Sequence, residues 1–323
     1  MEKILELREE FEKALLEFQI PNEPTKLYEP VGYTIGNGGK RMRPVLVLLG
    51  CKLFSEDISN AIHPALGIEL FHNFTLIHDD IMDEAPVRRG KPSVYQKWGR
   101  NVAILSGDAV FIKAYQELMQ TDQKVLAPIL NLFNKTALEI CEGQQLDMDF
   151  EDRDDVSIDE YLNMIKLKTA VLLASSLKVG AWTGGASEEQ AQKLYDFGLN
   201  CGIAFQLQDD ILDVFGESEK VGKQKGGDII ANKKTFLLLK AQELASGESE
   251  RELNHWLDSD ISSSEKVSGV TAVYDQLSVR QLAEERMWNY FNAGIEALEM
   301  VDANEEWKSV LLDFCRSLMH RES

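Results

Sequence analysis

Positive charge is what this sequence has least of. Its 34 lysines and arginines face 54 aspartates and glutamates, a formal net charge of −20 over 323 residues. So acidic a chain repels nucleic acid and anionic lipid, and neither is expected as a partner. Cysteine is scarce as well: Cys51, Cys141, Cys201 and Cys315 show no CxxC and no paired spacing, and each sits in a mostly apolar stretch. That pattern suits reduced thiols acting as small hydrophobes. The opening MEKILELREE lacks the apolar core of a signal peptide, and no hydrophobic run approaches the length of a membrane span. A soluble cytoplasmic protein is therefore expected. Period-two alternation bounded by turn residues is missing, as are any fixed-period repeat and any linker long enough to separate domains. No Ser/His/Asp or Cys/His constellation is visible, so covalent catalysis by a side chain is not expected.

What the chain does have is helical rhythm. Val270, Val273, Tyr274 and Leu277 fall at i, i+3, i+4 and i+7, and the stretches near 101–119, 123–146, 157–180 and 187–213 resemble it. The breaks are short and rich in Pro, Gly or Ser, at 21–30, 86–92, 184–185, 222–227 and 259–264. These features predict one all-α domain over residues 1–323. The acidic stretch 147–155 reads as a solvated loop.

Two segments carry the same motif. Asp79-Asp80-Ile81-Met82-Asp83 and Asp209-Asp210-Ile211-Leu212-Asp213 both spell D-D-x-x-D. With 22 aspartates in the chain, one such triplet arises by chance about 0.1 times, so a pair is a strong signal. On a helix the first and third carboxylates share a face and the middle one stands a step aside. Three like charges so close disfavour the helix unless a cation sits among them. Mg²⁺ suits that place, because it keeps several waters and binds through one or two carboxylates plus substrate phosphates. Basic residues lie near both motifs: Lys40-Arg41-Met42-Arg43 before the first, Arg88-Arg89-Gly90-Lys91 after it, and Lys223, Lys225, Lys233 and Lys234 after the second. Carboxylates for metal and cationic groups for phosphate oxygens together describe a diphosphate site.

In order along the chain stand Gly39-Lys40-Arg41-Met42-Arg43-Pro44, Asp79 to Asp83 with Arg88-Arg89-Gly90, and Gly143-Gln144-Gln145-Leu146-Asp147. Lys168-Thr169 follows, then Phe205-Gln206-Leu207-Gln208-Asp209-Asp210 through Asp213, then Gly222-Lys223 with Asp228 and Lys233. This ordered set resembles the trans-isoprenyl diphosphate synthases, the family of farnesyl and geranylgeranyl diphosphate synthases. The resemblance implies a bundle of ten or more helices around a deep central cavity, usually a homodimer, with the aspartate motifs facing across the cavity mouth. It implies that Lys40, Arg43, His72 and Arg89 hold isopentenyl diphosphate. For the allylic diphosphate it implies Arg88, Lys168, Lys223 and Lys233, with Thr169 and Gln206 as hydrogen-bonding neighbours. Asp79 and Asp83 would ligate two Mg²⁺ ions and Asp209 a third, with Asp80, Asp210 and Asp213 as supports and Gln144 and Asp147 bordering the site. Phe74, five residues before Asp79, would form part of the floor that stops chain growth, and the small Thr75 leaves room for a C20 rather than a C15 product.

Three other readings compete with this one. A non-catalytic partner subunit usually lacks one aspartate motif, and this chain keeps both. A class I terpene cyclase pairs one aspartate motif with a different Asn/Ser/Glu motif, whereas the second motif here is again D-D-x-x-D. A ferritin-like di-iron bundle would use the E-x-x-H spacings of Glu69 to His72 and Glu252 to His255, but the latter runs into a polar segment.

Overall fold

The structure is a computed structural model describing residues 1–216, 226–257 and 262–319. Among these it is almost wholly helical, as the periodicity predicts. The chain opens with α1 (Glu2–Glu17), α2 (Thr25–Gly36), α3 (Met42–Lys52) and α4 (Ser59–Met82). There follow α5 (Val94–Trp98), α6 (Arg100–Leu118), α7 (Gln123–Glu151) and α8 (Ile158–Ile165), then α9 (Val171–Thr183) and α10 (Glu188–Phe215). Shorter helices at Gly227–Ile230, Phe236–Leu244 and Glu248–Trp256 precede the longer Ser263–Gln276, Val279–Glu299 and Glu305–Met319. The only strands among the described residues are Val87–Arg88 and Lys91–Pro92, an antiparallel hairpin. Arg89 and Gly90 take φ of 53° and 74° at its tip, the paired left-handed conformation that a two-residue hairpin turn requires.

Two compact units share the chain. Unit 1 comprises Met1–Phe133, Ser175–Leu194 and Asp302–Leu311; unit 2 comprises Asn134–Ala174, Tyr195–Val301 and Leu312–Ser323. In unit 1, α4 lies antiparallel to α6. His63 Nδ1 is 2.8 Å from Glu117 Oε2 near one end, and His78 Nε2 is 3.3 Å from the Ile104 carbonyl near the other. Between them Phe71, Phe74, Phe111, Tyr115 and Phe133 form one aromatic cluster, with Phe74 stacked on Phe111 at 4.8 Å and 23°. Burial of this apolar area orients α4 and so aims its last turn, where the first aspartate motif sits.

The periodic stretch 157–180 holds a change of pitch within unit 2. Alpha-helical α8 passes into a π-helical turn at Lys166–Ala170 before α9 resumes. Such turns add a residue to the winding and re-aim side chains; this one carries Lys168 and Thr169. The acidic stretch 147–155 is only partly a loop, since α7 continues to Glu151 and Asp147 is an ion-pair partner of Lys168 at 2.5 Å. Beyond it Ser157 and Glu160 close a capping box at the start of α8, and Arg153 binds Glu160 at 2.9 Å. Among the described residues no helix is long and apolar enough to cross a membrane.

Candidate active site

The first motif terminates α4. Asp79 and Asp80 lie in its last turn, and Asp83 follows as C-cap, its amide donating to the Asp79 carbonyl at 2.8 Å. The helix thus leaves Asp83 exposed and Asp79 partly exposed while turning Asp80 inward, its side chain only 3% exposed. Arg88 meets Asp80 there from the hairpin, donating to Oδ1 through Nε at 2.8 Å and Nη2 at 2.5 Å. Burial pushes the Asp80 carboxyl above its ordinary value, and Arg88 counters it.

Behind the motif, Arg43 and His72 touch, Nη1 to Nε2 at 3.1 Å. Burial drives the His72 ring well below its ordinary value, and the guanidinium of Arg43 adds to this. The ring is therefore neutral at pH 7 and Nε2 accepts. Burial also brings Arg43 down to about 10, against the attraction of Glu69, with Arg89 adding repulsion. Arg89 donates to the Gly38 carbonyl. Gly39 takes φ of 136°, a backbone conformation that residues with a side chain rarely adopt, and packs against the Arg89 guanidinium. Lys40 is exposed on this loop. A small recess is lined by Asn37, Asn73, Asp80, Arg88 and Arg89 among others, and the buried Asn73 Oδ1 has no hydrogen-bond partner. Arg41 plays a structural part: fully enclosed, at φ of 51°, it binds Glu69 at 2.7 Å, Glu12 at 3.0 Å and the Ile35 carbonyl at 2.8 Å. With Glu69 committed to Arg41 and His72 to Arg43, the di-iron reading loses one of its two E-x-x-H pairs.

Unit 2 contains a cavity of about 560 Å³ whose lining includes Asp147, Tyr161, Lys168, Thr169, Gln206, Asp210, Asp228 and Lys233. Four of the six residues expected to hold the allylic diphosphate, Lys168, Thr169, Gln206 and Lys233, meet here. Arg88 is at Asp80 in unit 1, and Lys223 lies outside the described residues. Gln144 is buried on α7, and its Oε1 has no hydrogen-bond partner. In the second motif Asp209 is exposed, while Asp210 receives the Tyr161 hydroxyl on Oδ2. Burial and the neighbouring Asp228 raise the Asp210 carboxyl well above its ordinary range, against the pull of Tyr161. Asp213 accepts the Asp228 amide on Oδ2 at 3.0 Å, and its own carbonyl accepts from Gly226 at 2.8 Å. It thereby ties the end of α10 to the turn that leads to Lys233. Lys234 reaches Asp154 at 3.5 Å.

A sequence description of the polyprenyl synthetases matches residues 24–276. The chain belongs to the polyprenyl synthetase family. It is 43% identical over 222 residues to a geranylgeranyl diphosphate synthase of Methanosarcina mazei, covering 68% of either chain. It is 34% identical to a geranylfarnesyl diphosphate synthase of Natronomonas pharaonis over 98% of this chain and 96% of the other. A solved geranylgeranyl pyrophosphate synthase superposes with a TM-score of 0.94 at 42% identity, covering 99% of both chains. Family membership makes this chain a trans-prenyltransferase, of a class that acts on isoprenoid diphosphates with a divalent metal.

The donor set fits such an ion. Every candidate ligand is a carboxylate oxygen, the choice of a hard cation. Among the described residues no group of three or more His, Cys, Asp or Glu is arranged to hold a metal. Two polar groups of these surroundings escaped the sequence reading. Asn73 follows His72 inside an apolar run, where one amide is an expensive choice. Tyr161 lies seven residues before Lys168, two helical turns away, and that spacing was the available signal.

Proposed function

We propose that the chain condenses isopentenyl diphosphate head-to-tail with an allylic diphosphate, releasing diphosphate and giving an all-trans prenyl diphosphate, chiefly C20. The observation that carries this is the unit 2 cavity, where Lys168, Thr169, Gln206 and Lys233 gather beside the second aspartate motif. Isopentenyl diphosphate is assigned to Lys40, Arg43, His72 and Arg89, and the allylic substrate to the cavity residues with Arg88 and Lys223. Asp79, Asp83 and Asp209 would hold three Mg²⁺ ions, which supply charge neutralisation of the departing diphosphate. Asp80, Asp210 and Asp213 brace these ligands, and Gln144 and Asp147 border the site. Lysine and arginine donors stabilise the leaving diphosphate as the allylic C–O bond breaks with its electron pair. The isopentenyl double bond attacks the resulting cation, and a proton then leaves C2 for the diphosphate. Neutral His72 accepts from Arg43 and so keeps that guanidinium aimed.

We assign one domain to residues 1–323, since each compact unit draws on three separate segments of the chain and the family match runs through both. A homodimer is supported by Ile104, Leu105 and Ile112 on α6 and Met119 at its C-cap, exposed at i, i+1, i+8 and i+15. Four cysteines without a disulfide support a cytoplasmic setting.

The test is to incubate the protein and Mg²⁺ with labelled isopentenyl diphosphate and dimethylallyl, geranyl or farnesyl diphosphate, then size the products. A C20 product is expected, and failure to elongate any primer refutes the reading. Phe74→Ser, which opens the stack on Phe111, should give longer products. An unchanged ladder from a folded variant would remove Phe74 and Thr75 from the control of length.

A further inference from the structure

The two motifs treat their middle aspartates alike. Asp80 is gripped by Arg88 and Asp210 by Tyr161, while Asp79 and Asp83, and likewise Asp209, remain partly or fully exposed. The two grips differ in charge. A guanidinium brings a positive charge to the carboxylate that it holds, whereas a phenol fixes one oxygen and brings no charge of its own. Tyr161 is well placed for this. Its ring is 2% exposed, and it stands in the first turn of α8, which Ser157, Glu160 and Arg153 fasten at its start. Two turns on, the same segment becomes the π-helical turn that carries Lys168 and Thr169. One hydroxyl therefore joins the segment bearing phosphate-binding groups to the helix bearing the second motif.

We propose that Tyr161 is a positioning residue for the second aspartate motif. Its hydroxyl orients Asp210, and through it the last turns of α10, so that Asp209 presents its carboxylate to the metal–diphosphate complex. The inference rests on the proposed function for the identity of that complex. Partners that orient metal ligands typically cost 10–100-fold in affinity or activity when removed, and roughly that range is expected here.

Tyr161→Phe removes only the hydroxyl and keeps the buried ring. Calorimetric titration of the metal-free protein with Mg²⁺ and inorganic diphosphate should show binding weakened by about 10–100-fold, with the melting temperature little changed. In turnover, the Michaelis constant for the allylic substrate and the Mg²⁺ needed for half-maximal rate should rise, while that for isopentenyl diphosphate stays put. In a double-mutant cycle, adding Tyr161→Phe to Asp210→Asn should cost little more, because both changes break one connection. Additive losses, wild-type Mg²⁺–diphosphate binding by Tyr161→Phe, or a collapsed melting temperature with both Michaelis constants rising together would each overturn the proposal. If the wild-type protein makes no prenyl diphosphate, the proposed function fails, while the calorimetric comparison still decides whether the hydroxyl organises the site.

Discussion

Replacing Gly143 by alanine adds one methyl group where α7 crosses the π-helical turn. A Cβ at that position would lie 2.3 Å from the Lys168 amide nitrogen and 2.8 Å from both Leu167 C and Lys168 Cα, against 3.4–4 Å for ordinary contact. All three atoms are backbone, so no rotamer change relieves the clash. The helix and the turn must separate by roughly 1 Å. Two terms oppose each other in stability. Alanine in a helix interior gains about 1 kcal/mol over glycine, and overpacking costs about 1–3 kcal/mol, so the net loss is on the order of 0–2 kcal/mol. Function has no such offset. Lys168 sits on the displaced turn and Asp147, its partner at 2.5 Å, on the displaced helix. A misplacement of about 1 Å can cost 100-fold in rate, roughly 2.7 kcal/mol of barrier. The expected Gly143→Ala enzyme is therefore folded, melts within a few degrees of the wild type, and has kcat/KM for the allylic substrate lowered by about 100-fold. Thermal melts and initial rates at saturating isopentenyl diphosphate measure the two effects separately. Unimpaired kcat/KM with a raised melting temperature would show that α7 and the turn slide past one another freely, and the reasoning would fail.

Asp79→Ala or Asp209→Ala should abolish condensation and leave the melting curve near that of the wild type; turnover within about tenfold, or 1.4 kcal/mol, would sink the metal assignment. Glu69→Gln strips the charge that balances enclosed Arg41 and should cost about 3 kcal/mol in urea unfolding; a loss below about 1 kcal/mol would mean that Glu12 suffices. His72 titrates well below its ordinary value of 6.5 when folded, so below that pH the unfolded chain takes up the proton first. The stability His72 contributes is thus present above pH 6.5 and lost as pH falls toward the folded value. His72→Gln should flatten the stability profile over that range, and an unaltered slope would contradict the burial argument.

Much of this protein is legible in its sequence. Helical periodicity over 101–119, 123–146 and 187–213 matches α6, α7 and α10, because a helix packed on one face must repeat its apolar residues every 3.6 positions. The D-D-x-x-D pair was legible for a related reason: its carboxylates are local in sequence, and an acidic i, i+1, i+4 pattern beside apolar runs is costly unless something cationic uses it. What escaped was whatever depends on distant partners. Nothing in 157–180 announces a π turn, and the close approach of α7 to that turn at Gly143 joins residues distant in sequence. Nor could the motifs alone say that Asp80 would turn to Arg88 and Asp210 to Tyr161, or that 147–151 would stay helical with Asp147 against Lys168. A helix determines which side chains share its face; only the packing of other helices determines which of them are buried and which donor each buried carboxylate meets.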